Sequence, residues 1–477
     1  TLIEDRDGTL WAACDGGLLR IRKKTVGSLR VEGAATAGTA YSLWRTREGG
    51  AWVGYKGRAV RLTADEGRLL QTVYLDTDVP VSALLQDAAG RVWLGTLGGG
   101  LFMYHTGSLM LINQGDYSMP VVHTVYTLLE DPGLGLLIGT PQGLMRIGSS
   151  GEIESADVYG AHVTEPVHAL YRDRDGAVWV CGERLGVLCV RPDGSKRLID
   201  RTAGLAGYPR VMCRDSNGNF WVGTTAGLYG VAADGVIAMG RQAGVFDDAV
   251  LQIAEDTVKR LWLGTTRGLL CVYMEDLGRL AQGGQMGEAA NIRMLHLGVS
   301  DGLPGERCMG GAGSSDGPKK GSIWFPFENG MAVVDPAVAE FSGVPPTVVV
   351  EKVLVNGQSV ADNTQVCQSG IVFAPGARNI AFHFAALSPG APDSVRFRYR
   401  IEGLRKGWSP VQSERMAVFE WLPPGHYRLQ VIAEAGGIWN LAGTTFAFEV
   451  KAHFWQTVWF YLLLALALAG VVFLIAR

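Results

Sequence analysis

The sequence predicts an all-β protein with three parts: a β-propeller of seven or eight blades, an immunoglobulin-like β-sandwich and one C-terminal transmembrane helix. Three observations support this fold class. A short motif recurs about every 42 residues through the first 330 residues, short apolar strands separated by turns fill 346–450, and an uncharged apolar run occupies 458–476. A period near this length with several short strands per period is typical of propeller blades.

The repeated motif is clearest from Asp215 to Leu228, where a polar turn, an apolar strand, a glycine turn and a second apolar run follow one another. This order predicts a tight β-hairpin. Counted at the strand position that usually holds Trp, the steps are 41, 41, 44, 42, 42, 41 and 62 residues. The residues at this position are Trp11, Trp52, Trp93, Leu137, Trp179, Trp221, Trp262 and Trp324.

We assign 1–340, with about eight motif copies, to the propeller. Two arrangements are open: an eight-bladed ring, or a seven-bladed ring with one copy outside it, which we favour. In each copy we expect the Trp to pack between blades and the Asp six positions earlier to cap the turn. Thr1 opens inside a repeat without an initiator Met, so we expect the chain to be a fragment of a longer protein.

Candidate ligand residues lie in the variable part of each repeat, since loops on a propeller rim can differ while the frame stays fixed. An aromatic residue near His or Arg recurs ahead of several motifs and could line a pocket for a sugar or an anionic solute. The alternative is that these side chains pack in the inner strands. The candidates are Tyr41, Trp44, Arg45, His123, Tyr126, His168, Tyr171, Arg172, Tyr208 and Arg210.

The seven cysteines are scattered and odd in number, which argues against a disulfide scaffold. Around the turn 183–186, Cys181 and Cys189 are predicted to lie roughly opposite each other on adjacent strands. A cross-strand disulfide between them is therefore one interpretation, and two free thiols are the other.

The region 346–450 is predicted to be a β-sandwich, because about seven short strands fall within a hundred residues. The segment from Leu422 to Tyr427 resembles the tyrosine corner of immunoglobulin-like sandwiches, which makes Tyr427 a structural residue. The predicted strands are 348–355, 371–373, 379–384, 395–401, 416–421, 427–434 and 446–450.

The segment 458–476 is predicted to cross a membrane. Nineteen residues at about 1.5 Å each span roughly 28 Å, which is enough for the hydrocarbon core of a bilayer. Trp455, Trp459 and Tyr461 cluster at one end as an interfacial belt would, and Arg477 follows the other end. The alternative is a helix buried in a protein core.

The residues carry a family resemblance. The repeats resemble two-component regulator propeller repeats, and 346–450 resembles the three-tyrosine domain that follows them in bacterial transmembrane sensors. Two of the three tyrosines are Tyr399 and Tyr427, and Phe419 stands in the middle position. The motifs that carry the resemblance are Phe397-Arg-Tyr399-Arg-Ile-Glu-Gly403 with Trp408, Leu422-Pro-Pro-Gly-His-Tyr427, and Gly437-Ile-Trp439-Asn440 ahead of Phe454-Trp-Gln-Thr457.

The resemblance implies a sensor of the bacterial inner membrane, with residues 1–455 outside the cytoplasm and a single membrane helix. In such sensors the propeller recognises a small molecule or oligosaccharide, and the sandwich relays the bound state to a cytoplasmic output domain. That output is most often a histidine kinase acting on a response regulator, and sometimes a diguanylate cyclase. A homodimer is expected, and the catalytic machinery would lie outside this sequence.

Several other function classes lose support. A net charge of −3 without charged blocks gives no electrostatic case for nucleic acid. There is no zinc-type Cys/His spacing, phosphate loop or dinucleotide fingerprint, so we expect no metal and no cofactor. A membrane-tethered propeller glycosidase or lyase would need paired carboxylates, for which Glu183, Asp247 and Asp248 are available. A platform for protein interactions is the third alternative.

Overall fold

The computed structural model divides the chain into two compact units, which we call the propeller unit (Lys23–Phe341) and the sandwich unit (Thr1–Arg22 with Ser342–Arg477). The first 22 residues, which we assigned to the propeller, thus group with the sandwich unit. The residues that the structure describes are 2–4, 10–15, 17–21, 26–29, 38–46, 50–63, 69–112, 122–148, 151–232, 235–239, 249–281, 292–310, 321–337, 345–362, 371–388, 395–404, 407–409, 411–435, 438–454 and 458–477.

The propeller unit contains six successive antiparallel sheets of four strands, each in chain order, which we call blades 1 to 6. Their strands are Ser42–Arg45, Ala51–Tyr55, Arg58–Leu62 and Leu69–Tyr74; Val81–Gln86, Val92–Thr96, Leu101–His105 and Ser108–Leu111; Thr127–Asp131, Gly135–Thr140, Gly143–Ile147 and Ile153–Ser155; Val167–Arg172, Val178–Gly182, Gly186–Val190 and Lys196–Ile199; Pro209–Arg214, Phe220–Thr224, Gly227–Val231 and Val236–Ala238; and Val250–Glu255, Arg260–Thr265, Gly268–Tyr273 and Met294–Leu297.

Blade 7 closes the ring. It combines Ile323–Phe327 and Gly330–Val334 with Val26–Leu29, which comes from the opposite end of the propeller unit. The backbone N–H of Ala40 donates to the carbonyl of Phe327 at 3.0 Å and so links blade 7 to blade 1. Seven sheets in a closed ring form a seven-bladed propeller, and the motif around Trp11 lies outside it.

In blades 2, 5 and 6 a hydrogen bond joins the motif Asp to the motif Trp. In blade 5, Asp215 Oδ1 accepts backbone N–H bonds from Asn217 and Asn219 at 2.9 and 2.8 Å, and Oδ2 accepts from Trp221 Nε1 at 2.8 Å. The same indole-to-carboxylate bond recurs in blades 2 and 6. In these three blades the motif Trp therefore secures the turn of its own blade as well as packing against the next. The buried motif tryptophans are Trp52, Trp93, Trp179, Trp221, Trp262 and Trp324.

Neighbouring blades share apolar cores. Between blades 4 and 5, Trp179 stacks on Phe220 with ring centroids 4.0 Å apart, and Tyr171 meets the same ring edge-on at 5.4 Å.

Outside the blades, the propeller unit has a two-stranded hairpin, an α-helix (α1) and a short 3-10 helix. These are Asp157–Val158 with Ala161–His162, Met274–Ala281 and Val299–Asp301.

In the sandwich unit, the N-terminal repeat forms a three-stranded sheet of Leu2–Glu4, Leu10–Cys14 and Gly17–Ile21. The other strands make two sheets. One orders Gln358–Asp362, Thr347–Val355, Arg378–Leu387 and Met416–Trp421, and the other orders Ile371–Phe373, Thr444–Val450, Gly425–Ala435 and Arg396–Glu402, with Ile438–Trp439 paired to the third of these.

Aromatic side chains fill the space between these two sheets. The fully buried Phe382 contacts the rings of Phe373, Phe446 and Phe448. The hydroxyl of Tyr427 donates to the carbonyl of Pro423 at 2.8 Å, as a tyrosine corner does. The residue therefore ties the turn to the strand that follows it.

The chain ends in a second helix, α2, at Val458–Ala476. Most of the large side chains described in it are exposed, with Trp459 at 77% and Ile475 at 81%. In the part of the chain that the structure describes, no helix is both long enough and apolar enough to cross a membrane. The transmembrane segment at 458–476 therefore stays a prediction, and Trp455 lies outside the described residues.

Candidate functional site

In blades 1 to 6 an irregular residue lies at the start of the innermost strand, and in blade 7 the residue after Cys308, which is bridged to Phe327, takes the same place. In blades 2, 4, 5 and 6 the register shifts there, which marks a β-bulge. In blades 1, 3 and 7 the equivalent backbone N–H donates across the blade at 2.8, 2.8 and 2.9 Å. We call these residues the bulge ring. They are Tyr41, Ser82, Tyr126, His168, Arg210, Leu251 and Met309, all half-buried.

A bulge re-aims a side chain away from the plane of the sheet. Because the inner strands all run in the same direction, the seven side chains lie at the same end of the ring. Contacts across three blades support this placement. The ring of Tyr126 stacks on that of His168 at 4.5 Å, and Arg210 Nη1 lies 3.1 Å from His168 Nδ1.

Glu183 completes this group. It lies on the loop after the second strand of blade 4 and accepts a hydrogen bond from Arg210 Nη2 at 3.0 Å. His168 Nε2 lies 3.3 Å from the same carboxylate oxygen. We call Tyr126, His168, Glu183 and Arg210 the His168 cluster.

The hydrogen bonds define the charge state of the cluster. A guanidinium can only donate, so His168 Nδ1 accepts from Arg210 and the ring proton sits on Nε2, toward Glu183. Burial, followed by the positive charge of Arg210, lowers the pKa of His168, whereas Glu183 acts in the opposite direction. His168 is therefore neutral at neutral pH, and Glu183 alone balances the charge of Arg210.

This arrangement has the groups that can bind a polar solute. It offers an aromatic face, an imidazole and an ion pair at one mouth of the ring. Of the carboxylates considered for a hydrolase, Asp247 and Asp248 lie outside the described residues, and Glu183 is held by Arg210. Among the described residues, no group of three or more His, Cys, Asp or Glu residues could hold a metal ion.

Two predicted ligand residues link blades at the opposite end of the inner strand. Arg172 Nε donates to Asp131 Oδ2 of the preceding blade at 2.7 Å. Arg45 donates to the carbonyl of Ser322 and lies 5.9 Å from the ring of Trp324. Their position separates both guanidinium groups from the bulge ring.

The other candidates are divided between core and rim. Tyr171 is buried, and Trp44 is half-buried against the shared cores of its blade. His123 and Tyr208 are exposed on loops that lead into the bulge ring, and Arg201 lies 5.9 Å from the ring of Tyr208. The structure thus unites only Tyr126, His168 and Arg210 in direct contact, with Tyr41 at the equivalent position of blade 1.

Sequence reasoning missed Ser82, Leu251 and Met309 and considered Glu183 only as a catalytic carboxylate. The sequence does contain a signal for the bulge ring, because in blades 1 to 6 the bulge residue lies eleven residues before the motif Trp or Leu. Met309 breaks this spacing owing to the longer final repeat. No local pattern marks Glu183, whose partners lie on two different blades.

The cysteine pair differs from the predicted arrangement. Cys181 pairs with Val187, and Cys189 pairs with Trp179, so the two cysteines are diagonal neighbours rather than opposite residues. The cause is the loop, which holds three residues between Gly182 and Gly186 and sets the register two residues away from a direct pair. Both thiols are free and buried in the structure.

The segments that match known families fall within the same two units of the chain. Residues 389–451 match the Y_Y_Y domain model, and 75–98 and 205–226 match the two component regulator propeller model. The chain carries regulator propeller repeats and a Y_Y_Y domain. The resemblance inferred from the motifs is thereby confirmed.

Two solved structures share the fold. One is the extracellular domain of a putative hybrid two component system from B. thetaiotaomicron, with a TM-score of 0.62 and 20% identity over 94% of this chain and 61% of that one. A second such domain from the same organism has a TM-score of 0.51 and 17% identity over 94% and 62%. This chain therefore spans about three fifths of their length. No curated protein matches the sequence.

Proposed function

We propose that this chain is the extracytoplasmic ligand-sensing region of a membrane-bound bacterial receptor. In this proposal the receptor is a two-component sensor histidine kinase whose kinase part lies outside this sequence. The observation that carries the proposal is the presence, in one chain, of regulator propeller repeats followed by a Y_Y_Y domain. Both solved structures described above are extracellular domains of putative hybrid two component systems, which supports the same placement.

The bulge ring is the proposed ligand site. Five adjacent blades present polar or aromatic side chains there, and the last two present Leu251 and Met309. A small polar solute or an oligosaccharide would find donors, acceptors and the Tyr126 ring on one side and an apolar surface on the other. Sites of this kind combine apolar walls with a few placed polar groups.

Signalling would follow from differential binding. A ligand shifts a receptor between two arrangements only as far as it binds one of them better. We propose that α2 crosses the inner membrane once and that a homodimer passes the bias to a response regulator through the cytoplasmic part. The uncharged sequence of α2 and its exposed apolar side chains support the membrane role.

Calorimetric titration of the whole chain with a panel of monosaccharides and oligosaccharides tests the site. For a solute that binds, Arg210→Gln is expected to weaken binding by tenfold or more, since a hydrogen bond to a charged group contributes about 1.5–3 kcal/mol. Arg191→Gln is the control, because Arg191 is exposed at the outer edge of blade 4. Equal loss in both variants, or no binding by any solute of the panel, would contradict the proposal.

A further inference from the structure

We propose that the sandwich contains a second ligand-binding site, a groove of about 500 Å³ that takes an aromatic carboxylate. The groove lies between Arg396–Glu402 and Met416–Trp421, which are the last strands of the two sandwich sheets. Its volume lies within the range of small-molecule sites, which are lined mainly by aromatic and apolar side chains with a few polar groups. The proposal does not depend on the bulge ring or on the proposed function.

The inner wall of the groove is a fixed aromatic surface. Tyr399 and Phe419 meet edge to face, with ring centroids 5.9 Å apart and an interplanar angle of 84°. Both pack against the sandwich core while also lining the groove. Because the middle residue of the three-tyrosine pattern is Phe here, this wall offers a ring edge instead of a second hydroxyl.

Two tryptophans supply faces on which a ring can stack. Trp421 is 58% exposed and Trp408 is half-buried. Trp408 is held by its neighbour Ser409, whose N–H donates to the Tyr399 carbonyl at 2.8 Å and whose hydroxyl accepts from the Tyr399 N–H at 3.0 Å. Aromatic faces left open beside a preformed groove favour a planar ligand, since stacked rings gain more than their buried area alone.

Arg400 selects the charge of the ligand. Its guanidinium lies 4.8 Å from the ring of Trp408, and Nε donates to Gln430 Oε1 at 2.8 Å. Arg400 Nη2 also donates to Glu402 Oε1 at 3.5 Å, and the other oxygen of that carboxylate lies 3.8 Å from Arg428 Nη1, so two guanidinium groups share one carboxylate. The remaining positive charge can pair with a ligand carboxylate in a bidentate manner.

Glu420 also lines the groove and opposes an anionic ligand. Its side chain is exposed, where water and salt screen its charge. We expect its effect to be smaller than that of Arg400, so Glu420→Gln should raise the affinity for a carboxylate by a few fold. Glu420→Gln and Arg400→Gln should therefore change the affinity for a carboxylate in opposite directions.

Calorimetry of the full chain with indole-3-acetate tests the site, with indole as the uncharged probe. We expect saturable binding of indole-3-acetate at least fivefold tighter than that of indole. Arg400→Gln should abolish this preference by weakening the binding of indole-3-acetate more than that of indole, and Trp421→Ala should weaken both. Since Trp421 is exposed, its replacement should leave the melting temperature nearly unchanged.

Arg428→Gln is the matched control, because it removes the other cation beside Glu402 without lining the groove. It should leave the affinity for indole-3-acetate within about twofold of the parent. Equal affinity for the two probes, no saturable binding up to millimolar concentration, or equal losses for Arg400→Gln and Arg428→Gln would each overturn the proposal. Arg210→Gln, which acts on the bulge ring, should have no effect on either probe.

Discussion

The N-terminal repeat and blade 5 have the same motif but a different environment. Trp11 pairs with Ile3 as Trp221 pairs with Cys213, so the hairpins share one register. Their burial differs: Leu18 is 66% exposed, whereas Leu228, at the corresponding position of blade 5, is fully buried. The motif therefore specifies a hairpin, and neighbouring blades supply the burial that stabilises it.

Burying a leucine side chain stabilises a fold by about 1.5–3 kcal/mol. A blade in the ring gains this burial energy on both faces, whereas the N-terminal repeat, in which Leu18 is exposed, gains little of it. The same substitution should accordingly have different effects in the two regions. The following predictions compare them from the largest effect to the smallest.

The largest difference is expected for the motif tryptophan. Trp262 is fully buried and its Nε1 donates to Asp256 Oδ2 at 2.8 Å, so Trp262→Ala should lower the free energy of unfolding by about 3–5 kcal/mol. Trp11→Ala should lower it by less than about 1 kcal/mol. Denaturant unfolding of the full chain measures both values. Equal losses would mean that the N-terminal repeat is buried against its own partner.

A smaller difference is expected for the links between blades. Arg172 donates to Asp131, whose side chain is 1% exposed, so Arg172→Ala leaves a buried carboxylate without that bond. The expected loss in the free energy of unfolding is about 1–3 kcal/mol. Glu4, at the corresponding position of the N-terminal repeat, is exposed, and Glu4→Ala should change stability by no more than about 0.5 kcal/mol. A comparable loss in Glu4→Ala would contradict the comparison.

The smallest effect is expected in the loss of stability at acidic pH. Burial favours a raised pKa for Asp87, but hydrogen bonds from Trp93 and Arg91 outweigh it and lower that pKa below 3.8. The ionised carboxylate thus contributes stability that is complete above pH 3.8 and is lost as the pH falls through the lowered value. Asp87→Asn should flatten the fall in melting temperature below pH 4, whereas Glu4→Gln should not. Identical acid profiles for Asp87→Asn and the parent would contradict this.

Much of the fold could be predicted because its signals are local. The recurring Asp, Gly and Trp positions mark each hairpin, and the all-β class is confirmed by the structure. Ring closure has no such signal. Val26–Leu29 pairs with Gly330–Val334, about 300 residues away, and nothing in its four residues indicates which sheet it joins.

The candidate site was only partly predictable for the same reason. Tyr126, His168 and Arg210 stood out as an aromatic, a His and a base at equivalent places, but so did Arg172, which binds a neighbouring turn. The two roles depend on which end of one six-residue strand a side chain occupies. The link from Glu183 to Arg210 joins two blades, and no spacing within one repeat reveals it.

Ring closure by strands from both ends of the propeller unit also affects the order of biosynthesis. Val26–Leu29 emerges early but cannot pair until Gly330–Val334 has been made. During that interval its backbone donors and acceptors have no strand to bind, and a nascent chain released before residue 330 would keep an open edge able to join other molecules. The completed toroid should therefore withstand proteases that readily degrade such truncated products.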